Sequence, residues 1–157
     1  MPKFAANLMY LFQELPLMER FTKAQQHGFK AIEYQFPYTN IKSFSNKLES
    51  TNLKLVLINA PAGKWEKGER GLAAIPGRES DFLDTLPLAR DAALSLNTQF
   101  VHIMAGILPP DVYKEKANQV FISNLENAAD FFQRYGLNVL IEPLNDTDVP
   151  GYFLNSL

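Results

Sequence analysis

Short apolar runs recur along the chain, each introduced by Gly or Asn and closed by a polar residue. They are His27-Gly28-Phe29-Lys30-Ala31-Ile32-Glu33, Asn52-Leu53-Lys54-Leu55-Val56-Leu57-Ile58-Asn59, Asn97-Thr98-Gln99-Phe100-Val101-His102 and Gly136-Leu137-Asn138-Val139-Leu140-Ile141-Glu142. Gly and Asn accept the left-handed backbone that ends a helix, which accounts for their place ahead of each run. Runs this short and this rich in Val, Ile and Leu predict strands buried on both faces, as in a parallel sheet. Phe4-Ala5-Ala6-Asn7 predicts a first strand without a helix before it.

Helical spacing fills the intervals. Pro16 suits a first helical position, followed at helical spacing by Leu17, Phe21, Ala24 and Gln25. Ser43 to Ser50 predicts a shorter second helix. Glu79 to Leu96 predicts a third, with Phe82, Leu83, Leu86, Ala89, Ala93 and Leu96 on one stripe and a kink or late start at Pro87. Tyr113 to Tyr135 predicts a fourth, with Val120, Phe121, Asn124, Leu125, Ala128 and Phe132 repeating at three and four.

Alternating strands and helices imply a parallel sheet with right-handed crossovers, either an open doubly wound sheet or a stretch of barrel. Four units between residues 4 and 137 average about 34 residues each, so eight would take roughly 270, the size of a complete (β/α)₈ barrel. An open nucleotide-binding sheet would carry a Gly-rich loop after the first strand, and Asn7-Leu8-Met9-Tyr10-Leu11-Phe12 has no glycine. The expected fold is therefore α/β: a partial TIM barrel of about five parallel strands and four helices, forming one incomplete domain over residues 1–157.

Composition narrows the function. The chain has 157 residues, 46% of them hydrophobic, and a net charge of −2, as expected of a globular domain with a sizeable core. Its 15 Lys and Arg are scattered, and the densest group, Lys64, Lys67 and Arg70, is interleaved with Glu66 and Glu69. A nucleic-acid partner is not expected, because phosphate binding needs a concentrated basic face. The absence of cysteine removes disulfides and thiolate chemistry. No apolar run approaches the ~20 residues of a membrane span. The apolar stretch Phe4 to Phe12 is interrupted by Asn7 and followed by Gln13 and Glu14, unlike a signal-peptide core. A cytoplasmic protein is expected.

Chemistry in either α/β architecture sits at the carboxyl ends of the strands. All five predicted strands end on a polar group: Asn7, Glu33, Asn59, His102 and Glu142. Convergence of five such residues points to a site. Glu142 is the sharpest candidate, because a carboxylate emerging from a buried strand would have its pKa raised by partial burial toward that of a working base. The connection from Ala60 to about Arg78 has the length of a lid or binding segment and holds Trp65, Arg70 and Arg78. Trp65 either caps a small substrate or covers helix surface.

Several longer segments carry a resemblance. Phe4-Ala5-Ala6-Asn7-Leu8, Phe36-Pro37-Tyr38, Gly68-Glu69-Arg70-Gly71-Leu72-Ala73-Ala74, Pro76-Gly77-Arg78-Glu79, Val101-His102-Ile103-Met104-Ala105-Gly106 and Leu140-Ile141-Glu142-Pro143-Leu144-Asn145 are similar to the hydroxypyruvate isomerase family of xylose-isomerase-like barrels. Asp148-Val149-Pro150-Gly151-Tyr152-Phe153-Leu154-Asn155 resembles its 2-oxo-tetronate isomerase branch most.

The resemblance implies an aldose–ketose isomerisation, of hydroxypyruvate to tartronate semialdehyde or of a 2-oxo-tetronate. It implies that Glu142 takes the proton next to the carbonyl to give an enediolate, with a second glutamate returning a proton to the neighbouring carbon. It further implies a divalent metal, Mg²⁺ or Mn²⁺, with Glu142 among its ligands. Asn7, Asn59, Arg70 and His102 are the expected substrate-binding residues, and the expected partner is a small hydroxy or oxo acid, in a homo-oligomer. By the same resemblance the second glutamate and the other metal ligands belong to strands beyond Leu157, so the 157-residue chain alone is expected to lack turnover. Two other classes compete: a non-catalytic half-barrel serving as an interaction or assembly module, and a metal-dependent abasic-site endonuclease. The endonuclease would want more His than His27 and His102, and a basic groove.

Overall fold

A computed structural model describes residues 2–156, so Met1 and Leu157, the outer bounds of the expected domain, lie outside the described residues. Five strands, β1 (Ala6–Asn7), β2 (Ala31–Glu33), β3 (Lys54–Asn59), β4 (Phe100–His102) and β5 (Asn138–Leu140), form one sheet. All four pairings are parallel, and the strands lie side by side in chain order. An open doubly wound sheet reverses its strand order at a switch point, and here there is no reversal, so the sheet is part of a (β/α)₈ barrel.

The residues ahead of the strands turn as their chemistry requires. Gly28, Asn52, Asn97 and Gly136 all have positive φ, at 85°, 51°, 52° and 69°. Each closes a helix or helical turn and redirects the chain into the sheet. Helices α1 (Leu17–Gln26) and α2 (Ile41–Thr51) occupy the first two intervals, with Asn40 capping α2 by accepting from the Ser43 N–H.

The third expected helix is two helices, α3 (Glu79–Leu83) and α4 (Thr85–Ser95). Pro87 explains the break: its ring excludes the carbonyl four residues back, that of Leu83, where α3 ends. Pro87 thereby falls in the first turn of α4, where an N–H has no helical partner to lose. The Thr85 hydroxyl takes the Phe82 carbonyl at 2.6 Å, satisfying one acceptor at the junction.

The core lies between the sheet and the helices. Ile32, Ile58 and Val101 are fully buried in it together with Phe21, Ala89 and Phe132. Alternation turns the next residues of the strands to the other face. There Phe100 and Leu140 are 37% and 39% exposed, because this inner face has no helices upon it. β5 has one strand neighbour among the described residues and is correspondingly less covered than β3 or β4. No helix among the described residues is long and apolar enough to cross a membrane.

Helix α5 (Lys114–Gln133) buries Val120, Phe121, Asn124, Ala128 and Phe132, the stripe read from the sequence. Asn124 is polar within that stripe for a reason: its amide donates to the Ala73 carbonyl at 2.9 Å, tying the segment after β3 to the helix wall. Asn124→Ala should leave that carbonyl without a donor and lower stability by about 1–3 kcal/mol. Urea unfolding measures this, and an unchanged midpoint would show that the tie contributes nothing.

Candidate active site

In-register pairing sets Asn7 beside Glu33 on β1 and β2, and Asn59 beside His102 on β3 and β4. These four residues line one cleft of about 760 Å³ at the carboxyl end of the sheet, together with Glu142, Trp65 and Arg70. Every expected site residue thus borders the same space.

The floor is fixed by hydrogen bonds. His102 is buried, and its Nδ1 lies 3.1 Å from Asn59 Oδ1. With the amide oxygen accepting, the imidazole carries its proton on Nδ1. Burial pulls its pKa down to about 4, so the ring is neutral at pH 7. The Asn59 carbonyl accepts in turn from the Tyr38 hydroxyl, whose own ionisation burial pushes well above the ordinary tyrosine value. Tyr38 lies in the single helical turn Pro37–Thr39, within a motif read from the sequence for its family likeness only.

The carboxylates differ from expectation. Glu142 lies two residues past the end of β5 and is exposed, where the sequence predicts a partly buried carboxylate. The preceding Ile141 is 41% exposed, since β5 is the outermost strand of the described sheet. Glu142 has no hydrogen bond or ion pair among the described residues. In the loop that follows it, the Asn145 amide donates to the Asp148 carboxylate at 2.7 Å. Glu33 is the half-buried carboxylate. Burial raises its pKa most, the Asn7 amide lowers it, and the charge of Glu142 raises it further. Glu142 also bears on Tyr152, whose hydroxyl is pushed up to about 12 by burial and then by that charge, against a lowering from the Ala105 N–H it accepts.

The segment after β3 forms an arch over the cleft. The Arg70 guanidinium lies over Trp65, its Cζ 3.8 Å from the ring centroid, and donates to the carbonyls of Trp65 and Glu69 at 3.1 and 2.9 Å. Trp65 packs on Phe36 at 5.0 Å, so it belongs to the cleft wall and not to helix surface. Arg78 is committed elsewhere, to Glu69 at 2.9 Å and to Asp81. Arg70 has no carboxylate partner among the described residues.

Two glycines hold the arch down. Gly71 has φ +120°, and a Cβ there would stand 2.2 Å from the Met104 carbonyl oxygen; a Cβ on Gly106 would stand 2.7 Å from the Gly71 oxygen. Around this crossing Ala74 donates to Ala105 at 2.7 Å, and Phe153 donates to Gly106 at 2.9 Å. The segments following β3, β4 and β5 are thereby joined in one layer over the sheet.

Sequence reasoning placed Glu33 at a strand end but left it out of the substrate-binding set. Its pairing with Asn7 becomes visible only once the register is fixed. Tyr38 and Tyr152 carry no signal beyond their motifs.

A family model described as xylose isomerase-like TIM barrel matches residues 21–157. A 2-oxo-tetronate isomerase from Cupriavidus necator is 42% identical over 156 residues, 99% of this chain and 60% of that protein. A hydroxypyruvate isomerase from Escherichia coli is 39% identical, over 98% of this chain and 60% of its own length. Among solved structures, one described as a family 2 AP endonuclease from Brucella melitensis superposes with a TM-score of 0.94 at 42% identity, covering 98% of this chain and 60% of that one. A 3-keto-D-glucoside 4-epimerase from E. coli, at 18% identity and a TM-score of 0.70, shares the fold. The chain spans about 60% of the length of the curated relatives it matches.

The neutral His102 ring has a consequence for stability. Its pKa in the folded chain, about 4, lies below the ordinary 6.5. The stabilisation from burying the neutral ring is therefore complete above pH 6.5 and is lost as pH falls from there toward 4. At most about 3 kcal/mol is at stake. Urea midpoints measured across that range should fall more steeply for the wild type than for His102→Asn. Parallel pH profiles would show that His102 is not buried as the neutral form.

Proposed function

Because the chain belongs to the xylose isomerase-like TIM barrel family, we propose that it carries the site of a sugar-acid isomerase acting through an enediolate. The substrate would be hydroxypyruvate, interconverted with tartronate semialdehyde, or a 2-oxo-tetronate, the molecules for which its relatives in E. coli and C. necator are named. One observation carries the reading. The polar ends of all five strands and Arg70, which has no carboxylate partner among the described residues, border a single cleft of about 760 Å³, a size suited to a small molecule.

In this reading Arg70, held over Trp65 with its Nη1 bonded to backbone carbonyls, presents its other N–H groups to the substrate carboxylate. Glu142 accepts the proton from the carbon next to the carbonyl, and the C–H electron pair moves to form the enediolate. Return of a proton to the neighbouring carbon, with the hydroxyl proton passing to the former carbonyl oxygen, completes the isomerisation. Exposed and without a hydrogen bond or ion pair among the described residues, Glu142 is open to a substrate in the cleft. The neutral Asn59–His102 pair supplies a polar, uncharged floor that does not compete with Arg70 for the carboxylate.

The cleft is bordered by Glu33, Glu142 and Asp148 against one cation, Arg70. That surplus of negative charge favours a divalent cation, Mg²⁺ or Mn²⁺, with Glu142 as a ligand. When bound, such a cation would supply positive charge to the reacting oxygens. The described residues gather no group of three His, Cys, Asp or Glu, so this chain's contribution is Glu142 and no step above passes through the metal. The same charge distribution makes a phosphodiester a poor fit, which places the isomerase reading ahead of an endonuclease.

The exposed apolar residues Phe100 and Leu140 of the inner face, and Ile141 just past β5, further support self-association. Light scattering of the 157-residue polypeptide should give a mass above that of a monomer, and a monodisperse monomer would refute this part.

Glu142→Gln tests the central assignment. Gln keeps the size of Glu but cannot accept a proton near neutral pH. In D₂O, deuterium uptake at the carbon next to the carbonyl of hydroxypyruvate should exceed the uncatalysed rate. It should drop by ~10²–10⁴ in the variant, with the unfolding temperature unchanged. Retained exchange with a lowered unfolding temperature would make Glu142 structural.

A further inference from the structure

The Asn7–Glu33 pair is built like a hydroxyl receptor. The two residues are register partners on adjoining parallel strands, and both border the cleft. Asn7 Oδ1 accepts from the Met9 N–H at 3.0 Å, which fixes the side-chain amide with its NH₂ toward Glu33, one N–H serving that carboxylate and the other left for a ligand. Glu33 is half-buried and forms no ion pair with Lys, Arg or His among the described residues. A structural carboxylate in such a place would ordinarily face a cation. Here the nearest polar influence is the Asn7 amide, and the charge bearing on Glu33 is the like charge of Glu142. A fixed donor thus stands beside an acceptor whose remaining lone pairs are unused.

A hydroxyl is the small group that both donates and accepts. Donating to Glu33 and accepting from Asn7, it would satisfy both members of the pair at once. A second carboxylate in the same position would be repelled by Glu33 and Glu142 together. The cleft is therefore divided, with one cation on the arch and carboxylates at the ends of β2 and β5.

We propose that Glu33, with Asn7, is a specificity-determining residue that selects small monocarboxylic acids bearing a hydroxyl remote from the carboxylate. This rests on the reading that Arg70 receives the substrate carboxylate. It ranks acids whose far end carries a hydroxyl above acids whose far end is apolar or a second carboxylate.

Calorimetric binding of three acids without a ketone tests this, since none of them turns over. They are 2,3,4-trihydroxybutanoate, 2-hydroxybutanoate and the dicarboxylate 2-hydroxybutanedioate. The wild type should bind the first ~10–100-fold more tightly than the second, the value of a hydrogen bond to a charged group, and the dicarboxylate least. Glu33→Gln should narrow the first gap and strengthen dicarboxylate binding, a gain that misfolding cannot produce. Asn7→Ser should narrow the first gap without that gain. Arg70→Met should weaken all three alike. If Glu33→Gln leaves the ratios unchanged, or the wild type does not distinguish the acids, the inference falls while the Arg70 reading stands. If Arg70→Met leaves all three affinities unchanged, or the wild type binds none, the functional reading falls and takes the inference with it.

Discussion

The site depends on the hydrogen-bond register of the parallel sheet. Parallel pairing in chain order sets like positions of neighbouring strands level with one another, so side chains of one parity form rows across the inner face. Asn7 stands level with Glu33, and Asn59 with His102, because of that pairing alone. A slip of one residue in any strand would turn its polar end into the helix-facing core and an apolar residue into the cleft. The burial of Ile32, Ile58 and Val101 on the opposite face opposes such a slip, since each would have to leave the core. The register shift between Ile32 and Glu33 adjusts this match, keeping Ile32 opposite Leu55 while Glu33 pairs with Leu57.

Much of this was legible because the determinants are local. Left-handed Gly28, Asn52, Asn97 and Gly136 announce each helix end, and apolar runs closed by a polar residue announce each strand and its functional end. Pro87 announced an interruption in the third helix, although its position does not state that the break falls four residues back, at Leu83. The stripe along α5 included Asn124, but its partner, the Ala73 carbonyl, lies 51 residues away in sequence and leaves no periodic trace.

The electrostatics were less legible, because exposure is a property of the assembled sheet. Ile141 and Glu142 follow an apolar run and read as emerging from a buried strand, yet β5 is the outermost described strand and leaves them open. Glu33 follows a shorter run and reads as the weaker candidate, yet it sits between β1 and β3 and is the more enclosed carboxylate. Cross-strand neighbours, not the apolar content of a residue's own strand, decide which acid is desolvated.

The glycine crossing at Gly71 and Gly106 bears on how ligands would come and go. Its backbone contacts leave no room for side chains, and its hydrogen bonds run to two neighbouring segments, so the base of the arch cannot swing as a hinged cover. Arg70 and Trp65 are held in their stacked arrangement before any ligand arrives. A site assembled in advance loses little conformational entropy on binding. Encounter rates for similar small acids would then be nearly alike, and their affinities would be separated mainly by how long each remains bound.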